Sequence, residues 1–234
     1  MSIISVVSPK GGAGKSTLTV TMATMLAKLG VNVCVVDADP QQTVKRWYYG
    51  SKEDDKVKTS HQINLITDVN EETFYEVVRD AAMHHQIVLV DTPGRASLTM
   101  SRAIIAADLV LIPTKPSSVD IEAAIYALKL IRSEELGQKR KISYAIVLTE
   151  MPGSENFTTA VTREFTEKLK EAKIPCLKVQ LVKREAYRQM FYDRLGIDEL
   201  PSPDPNKAKK VVENALKLVQ EVLQFLKQSQ QSQL

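Results

Sequence analysis

The sequence predicts an α/β fold in which one doubly wound, mostly parallel sheet forms a single domain. Apolar runs of strand length are continuous rather than alternating, as in strands covered on both faces. They span residues 3–7, 31–36, 87–90, 109–112 and 143–148. Segments with helical spacing separate these runs, an alternation typical of layered α/β domains. The chain has 234 residues, 44% of them hydrophobic, enough for one well-buried core.

The first β–α–β unit begins at the N-terminus. The strand at residues 3–7 runs into a glycine-rich loop, and residues 16–29 follow with apolar side chains on one helical face, up to Gly30. The next strand, residues 31–36, ends at Asp37. Because doubly wound sheets bind ligands at the carboxyl ends of their strands, we expect residues 1–8 to form a central strand with a site at its end.

The rest of the chain continues this alternation. Two weaker strands are predicted at residues 63–67 and 176–181. Helices are predicted over residues 40–49, 71–84, 98–106, 119–134, 155–172, 184–195 and 207–227. We expect one domain over residues 1–227, and a flexible polar tail over the Gln/Ser-rich residues 228–234.

The glycine-rich loop, residues 9–17, has the composition of a phosphate-binding loop. It reads Pro9-Lys10-Gly11-Gly12-Ala13-Gly14-Lys15-Ser16-Thr17. Glycines let backbone N–H groups surround an anion, and the following helix N-terminus adds a favourable dipole. Lys15 is placed to reach the β- and γ-phosphates, and the Ser16 hydroxyl to bind Mg²⁺. The loop is a variant, because Pro9 replaces the usual first glycine and Lys10 adds a second lysine.

Three aspartates are candidates to complete this site. Asp37 and Asp39 follow the second apolar strand, whose end lies beside the loop in a doubly wound sheet. Asp91 follows the apolar run at residues 87–90 and precedes a turn that contains Gly94. An acid after such a strand matches the second acidic motif of phosphate-loop enzymes. The alternative for each aspartate is a turn or cap residue.

Composition narrows the class of protein. The net charge of +3 gives no overall argument for nucleic acid, so binding would require a local patch. No apolar run approaches the roughly 20 residues of a membrane-spanning helix. The N-terminus leads directly into a strand, without the pattern of a secretory signal. We therefore expect a cytoplasmic protein.

The motifs together resemble those of the ParA/MinD superfamily of deviant Walker-A ATPases. The resemblance is carried by residues 10–17, 37–41 and 91–94, and continues in 113–120 and 184–197. Within the superfamily, the length and the Asp39-Pro40-Gln41…Trp47 pattern are most similar to small plasmid-partition ParA proteins of the ParF-like kind. VirC1-like proteins of DNA-transfer systems are close neighbours.

The resemblance implies an ATPase that binds ATP and Mg²⁺ and forms a face-to-face homodimer around two ATP molecules. Lys10 would reach the partner's phosphates, Lys15 would contact the β- and γ-oxygens, and Asp39 would orient the attacking water. Asp37 would organise the metal's shell, although the roles of Asp37 and Asp39 could be exchanged. Ser16 and Asp91 would support the metal. Nucleotide binding falls on Lys10, Gly11, Gly12, Ala13, Gly14, Lys15, Ser16 and Thr17.

The resemblance also implies a function: the ATP-bound dimer binds DNA without sequence preference on the nucleoid. A small centromere-binding, ParB-like partner then stimulates slow hydrolysis. Candidate DNA-binding residues are Lys183, Arg184, Arg188, Lys207, Lys209 and Lys210. Acidic residues are interleaved with them, so an ordinary solvated helix face is the alternative interpretation. We expect adenine contacts from residues 149–152 and 183–185, although the sequence alone does not fix them.

Other functions stay open. A MinD-like membrane positioner would use an amphipathic C-terminal helix, and residues 211–226 carry an apolar stripe at helical spacing. We expect that stripe to pack in the core instead, and membrane association is not favoured. A VirC1-like DNA-transfer ATPase is a second alternative. An iron-protein relative is disfavoured because Cys34 and Cys176 lie in apolar runs. A dethiobiotin-synthetase-like ligase is disfavoured by Lys10.

Overall fold

The computed structural model describes residues 1–50, 56–151, 160–182 and 185–231, and the side chains of residues 160–162 are left out. In these ranges six strands form one all-parallel sheet in the order β3-β2-β4-β1-β5-β6. They are β1 (Ser2–Val6), β2 (Val33–Asp37), β3 (Asn64–Ile66), β4 (Ile87–Asp91), β5 (Leu109–Thr114) and β6 (Tyr144–Leu148). The predicted doubly wound sheet with a central first strand is confirmed.

Helices cover both faces of this sheet. They are α1 (Lys15–Lys28), α2 (Thr43–Tyr49), α3 (Phe74–His84), α4 (Leu98–Ala106), α5 (Ser118–Gln138), α6 (Ala160–Glu171), α7 (Glu185–Asp193) and α8 (Pro205–Gln231). Successive residues of β2 show why the apolar runs are continuous. Val35 packs in the core shared with α1 and α8, whereas Val36 packs on the opposite face with Phe74 of α3.

Helix boundaries differ from prediction where turns intervene. The predicted helix at residues 40–49 begins only at Thr43, because Asp39 forms a turn with Gln41 and Gln42 takes a left-handed φ of 49°. The helix predicted to reach residue 195 ends at Asp193, because Arg194 has a φ of 60°. α5 continues four residues past the predicted end at residue 134. Residues 155–159 of the predicted sixth helix lie outside the described ranges.

The weaker strand predicted at residues 176–181 is wrong. Within the described residues, this segment and the adjoining Val182 form only isolated bridges, Ile146 to Cys176 and Met151 to Val182. The amides of Lys178 and Val179 donate instead to the Glu221 carboxylate on α8, at 2.8 and 2.7 Å. Leu177 and Leu181 still donate to the backbone oxygens of Ile146 and Leu148 in β6, at 2.9 and 2.8 Å. Glu221 takes the Val179 amide between them, which a continuous strand would also give to β6.

The apolar stripe of α8 packs in the core, as expected. Its buried side chains are Val211, Ala215, Leu218, Val219, Val222 and Leu226. The helix continues through Gln231, four residues into the predicted polar tail, and Gln230 donates a hydrogen bond to Ser2 Oγ at 3.1 Å. Residues 232–234 lie outside the described ranges. Among the helices that the structure describes, none has the length and apolarity needed to cross a membrane.

Candidate nucleotide-binding site

The glycine-rich loop lies between β1 and α1 and prepares an anion site. Gly12 and Gly14 have φ values of 74° and 96°, a left-handed conformation that side-chain-bearing residues rarely adopt. Gly14 is the N-cap of α1, and the first helical turn contains no acidic residue. The N-terminal N–H groups and their dipole are therefore not neutralised by a carboxylate of the same turn, which favours binding of phosphate.

Lys15 is the buried cation of the loop. Its side chain is 5% exposed, and its Nζ lies 3.4 Å from the backbone oxygen of Lys10. Burial lowers the pKa of Lys15, and the negative charges of Asp91 and Asp39 oppose that shift. The loop thus holds an ammonium whose desolvation an anionic ligand would offset.

Asp91 connects the loop to the end of β4. Ser16 Oγ donates to Asp91 Oδ2 at 2.7 Å, and Thr19 Oγ1 donates to Asp91 Oδ1 at 3.4 Å. Burial raises the pKa of Asp91 to about 7, despite the hydrogen bond from Ser16. A hydroxyl and a carboxylate are hard oxygen ligands of the type that Mg²⁺ prefers, and a dication would compensate the buried carboxylate. Ser16 and Asp91 therefore fit a magnesium site.

Asp37 and Asp39 have different surroundings. Asp37 is 2% exposed and accepts the backbone N–H groups of Lys45 at 2.9 Å and Asp39 at 3.3 Å. Burial raises the pKa of Asp37 to about 6. The register of the sheet places Asp37 beside Asp91. Asp39 lies further out, where its Oδ1 accepts the N–H of Gln41 at 2.9 Å. Asp37 therefore shapes the turn, and Asp39 opens onto the cavity.

The second lysine of the loop has a partner in its own chain. Lys10 Nζ donates to Asp120 Oδ2 at 2.7 Å, with the lysine side chain 35% and the aspartate side chain 4% exposed. Ser117 Oγ also donates to Asp120. Burial would raise the pKa of Asp120, but the hydrogen bonds from Lys10 and Ser117 lower it. Asp120 lies in the first turn of α5, shortly after β5 ends at Thr114, so this contact joins the glycine-rich loop to the β5–α5 connection.

A cavity of about 670 Å³ opens beside the loop. Its wall includes Lys15 and Asp39 but not Lys10. The other residues that line it are Gly11, Gly12, Gly14, Ser16, Thr17, Pro40, Gln41, Thr43, Pro93, Gly94, Arg95, Glu150 and Phe191. The loop, Asp39 and the turn after β4, which the sequence predicts to meet, thus line one space. The Ala13 side chain is buried, and its backbone oxygen accepts a hydrogen bond from Thr149.

A smaller cavity of about 380 Å³ adjoins the first. It is lined by Gly14, Thr17, Thr149, Glu150, Leu181, Val182, Tyr187, Arg188 and Phe191. Its mainly apolar and aromatic wall is suited to a flat base next to the phosphate loop. Thr149 and Glu150 belong to the predicted adenine region, whereas Pro152, Lys183 and Arg184 lie outside the described residues. The aromatic residues of α7 are absent from the predicted site, although the four-residue spacing of Tyr187 and Phe191 places them on one helical face.

The predicted DNA-binding residues have mixed surroundings. Lys183 and Arg184 lie outside the described ranges. Arg188 lines the smaller cavity and lies 3.6 Å from Glu185. At the start of α8, Lys207 is 3.6 Å from Asp204 and Lys209 is 3.9 Å from Glu213. Lys210 is exposed and makes no ion pair in the described part of the chain. This geometry neutralises part of the predicted positive charge.

The chain is similar to known proteins over most of its length. Residues 1–226 match the family model described as VirC1 protein. The chain is 33% identical to Protein ParA of Rhizobium radiobacter over 218 residues, which cover 92% of this chain and 93% of that protein. It is 26% identical over 210 residues to the maintenance of carboxysome distribution protein A of Halothiobacillus neapolitanus, over 89% of this chain and 92% of that one.

Among solved structures, apo McdA of Cyanothece has the same fold. It gives a TM-score of 0.71 at 19% identity, over 92% of this chain and 99% of that one. A Cyanothece McdA–ATP complex gives a TM-score of 0.70 at 18% identity, over 93% and 96% of the two chains. A variant glycine-rich loop with its acids at parallel strand ends, and a family match over nearly the whole chain, lead to one assignment. The chain belongs to the VirC1 family, within the ParA/MinD superfamily of ATPases.

Proposed function

We propose that this chain is an ATP-dependent DNA-segregation ATPase that dimerises around two ATP molecules and binds DNA without sequence preference in that state. The observation that carries the proposal is the separation of the two loop lysines. Lys15 lines the phosphate cavity, whereas Lys10 lies outside its wall, one-third exposed and held by Asp120. A cation placed in this way can reach the phosphates of a second copy.

The roles of the site residues follow from their contacts. The backbone N–H groups of residues 11–17 surround the phosphates, and Lys15 neutralises charge on the β- and γ-oxygens. Ser16 and Asp91 would hold Mg²⁺, which when bound withdraws negative charge from the transferring phosphoryl group. Lys10 of the partner copy places positive charge where negative charge develops in the transition state.

Asp39 is the residue that we assign to the attacking water. Its Oδ1 is fixed by the N–H of Gln41 at 2.9 Å, and its Oδ2 has no hydrogen bond within the described residues. A carboxylate with one anchored and one available oxygen can accept a hydrogen bond from a water and hold it in line. Asp37 accepts one backbone N–H group on each of its oxygens and organises the turn that carries Asp39.

DNA binding is proposed to follow dimerisation and to depend on phosphate contacts. Lys207, Lys209 and Lys210 are exposed on α8, and doubling them in a dimer creates a local patch that the net charge of +3 does not supply alone. We propose that the ATP dimer associates with the nucleoid, and that a small ParB-like partner bound to a centromere-like site stimulates hydrolysis and releases it.

A VirC1-like role in DNA transfer is the second candidate, favoured by the family match over residues 1–226. Both candidates use the same ATP switch and differ in the DNA that serves as cargo. A MinD-like membrane role has less support, because the apolar face of α8, its candidate anchor, is buried in the core.

The test compares Lys15→Ala and Asp39→Ala with Asp80→Ala, an exposed carboxylate on α3 that serves as control. Dimer mass with ATP and Mg²⁺, retention on non-specific DNA and phosphate release are measured. We expect Asp39→Ala to dimerise and bind DNA but to hydrolyse ATP about a hundredfold more slowly. Lys15→Ala should neither dimerise nor bind DNA, and Asp80→Ala should behave as wild type. DNA retention that ignores nucleotide in all variants contradicts the switch.

A further inference from the structure

The two cavities beside the glycine-rich loop meet at a small set of residues. The larger one is the phosphate cavity, and the smaller one is the apolar cavity suited to a base. They share Gly14, Thr17, Glu150 and Phe191. In a nucleotide the sugar joins the phosphates to the base. If the chain binds ATP as proposed above, the ribose therefore lies at this junction, against Glu150 and Phe191.

Glu150 is held at the junction in an unusual backbone conformation. It follows the carboxyl end of β6 and has a left-handed φ of 52°. Among the described non-glycine residues with positive φ, it alone lines the two cavities. Such conformations are sparsely populated and persist where the surrounding structure requires them. The backbone thus directs a carboxylate to the place where a sugar would lie.

A carboxylate beside a triphosphate would normally weaken binding through repulsion. Here Lys115 offsets the charge, because its Nζ lies 2.7 Å from Glu150 Oε1. The other oxygen, Oε2, has no hydrogen bond to any described residue. With respect to the described residues, the ion pair therefore leaves one acceptor available at the junction. Ribose hydroxyls are hydrogen-bond donors of suitable size, whereas phosphate oxygens are acceptors and would not bind it.

We propose that Glu150 is the ribose-recognition residue of this site, and that it selects ribonucleoside triphosphates over forms that lack the sugar hydroxyls. The carboxylate accepts a hydrogen bond from the ribose, while Lys115 keeps the pair close to neutral. The side chain of Glu150 is 44% exposed, so water replaces a missing hydroxyl in part. This exposure limits the selectivity to about tenfold rather than the larger factors of fully buried polar sites.

The experiment measures the dissociation constants of ATP and 2′,3′-dideoxyATP, each with Mg²⁺, by calorimetry on the full chain. Dideoxy-ATP lacks both ribose hydroxyls and keeps the base and the phosphates. Wild type should bind ATP about tenfold more tightly than dideoxy-ATP. Glu150→Ala should bind ATP and dideoxy-ATP with equal affinity, because the Lys115 ammonium that it leaves unpaired attracts both triphosphates alike. Glu167→Ala, an exposed carboxylate on α6, should keep the wild-type selectivity.

A structural role of Glu150 predicts a different result. If Glu150→Ala weakens ATP and dideoxy-ATP equally, the side chain supports the loop or contacts the base, and the ribose proposal is wrong. It is also wrong if wild type binds both nucleotides equally. Lys115→Ala should weaken both nucleotides while keeping their ratio, because an unpaired carboxylate repels both triphosphates. Failure of wild type to bind ATP at all would instead contradict the proposed function.

Discussion

Asp120→Asn is expected to strengthen ATP-dependent dimerisation. In the free chain Lys10 Nζ lies 2.7 Å from Asp120 Oδ2. In the proposed dimer the same ammonium leaves this carboxylate to reach the phosphates of the partner copy. The ion pair therefore stabilises the monomer and opposes association. The Asp120→Asn amide can still accept from Ser117 but holds Lys10 less strongly, so the lysine is released at a lower free-energy cost.

The exposure of the two partners sets the magnitude. Asp120 is 4% and Lys10 35% exposed, so the pair is intermediate between a buried and a surface ion pair. Hydrogen bonds to charged groups contribute about 1.5–3 kcal/mol, and solvent around Lys10 favours a value of about 1.5 kcal/mol. A dimer breaks one pair in each copy, and because asparagine keeps part of each hydrogen bond, Asp120→Asn removes at most about 3 kcal/mol, or about a hundredfold in the dimer dissociation constant.

Sedimentation velocity with a non-hydrolysable ATP analogue and Mg²⁺ measures this constant. Glu164→Gln is the matched control, because it removes an ion pair of 2.6 Å with Lys168 on the exposed surface of α6. Its dimerisation should equal that of wild type, and circular dichroism should show all variants folded. Equal or weaker dimerisation of Asp120→Asn would refute the reasoning, since Asp120 would then hold Lys10 ready for the partner rather than hold it back.

Two further changes test the packing of the loop and the contact of His61 with Asp198, at the other end of α1. A Cβ on Gly94 would lie 3.0 Å from Gly11 Cα; Gly94→Ala should therefore displace the glycine-rich loop and weaken ATP binding about tenfold in a calorimetric titration. Gly137→Ala meets no atom within 4 Å and should bind ATP normally; equal effects of both would argue against a displaced loop. The hydrogen bond to Asp198 raises the pKa of His61, against the effect of burial. Burial would raise the pKa of Asp198, but the hydrogen bonds from His61 and Lys28 lower it to about 2. The stabilisation from His61 is therefore complete below its unfolded pKa and is lost as pH rises through its folded pKa. His61→Asn should cost about 1–2 kcal/mol in urea unfolding at pH 6 and less at pH 8; an equal cost at both values would contradict this.

The sequence predicts most of the sheet and the phosphate side of the site, for a physical reason. Strands buried on both faces need continuous apolar runs, and β2 and β4 are buried at every position. A parallel sheet then brings their carboxyl ends to one edge, so acids that end these runs must meet. The pairing of Asp37 with Asp91 in the register is the direct result.

The remaining parts depend on contacts between distant segments. Lys10 and Asp120 are 110 residues apart, and no local pattern links them. The failed strand at residues 176–181 has adequate apolar composition, but Glu221, more than 40 residues away, takes its amides. Phe191 belongs to the cavity only because α7 packs beside the loop. Propensity and periodicity carry no information about which distant side chain competes for a hydrogen bond.

The buried charges of the site lower the stability of the fold, and their positions at the ends of apolar runs are already visible in the sequence. Asp37 and Asp91 end apolar strands, and burial raises the pKa of both carboxylates, to about 6 and about 7. Burial also disfavours the charge of Lys15. A core selected for stability alone would place apolar residues at these ends, because unpaired buried charge is costly. A triphosphate with its dication supplies opposite charge to each group. The residues that fit the fold least well are thus those that fit the proposed ligand best.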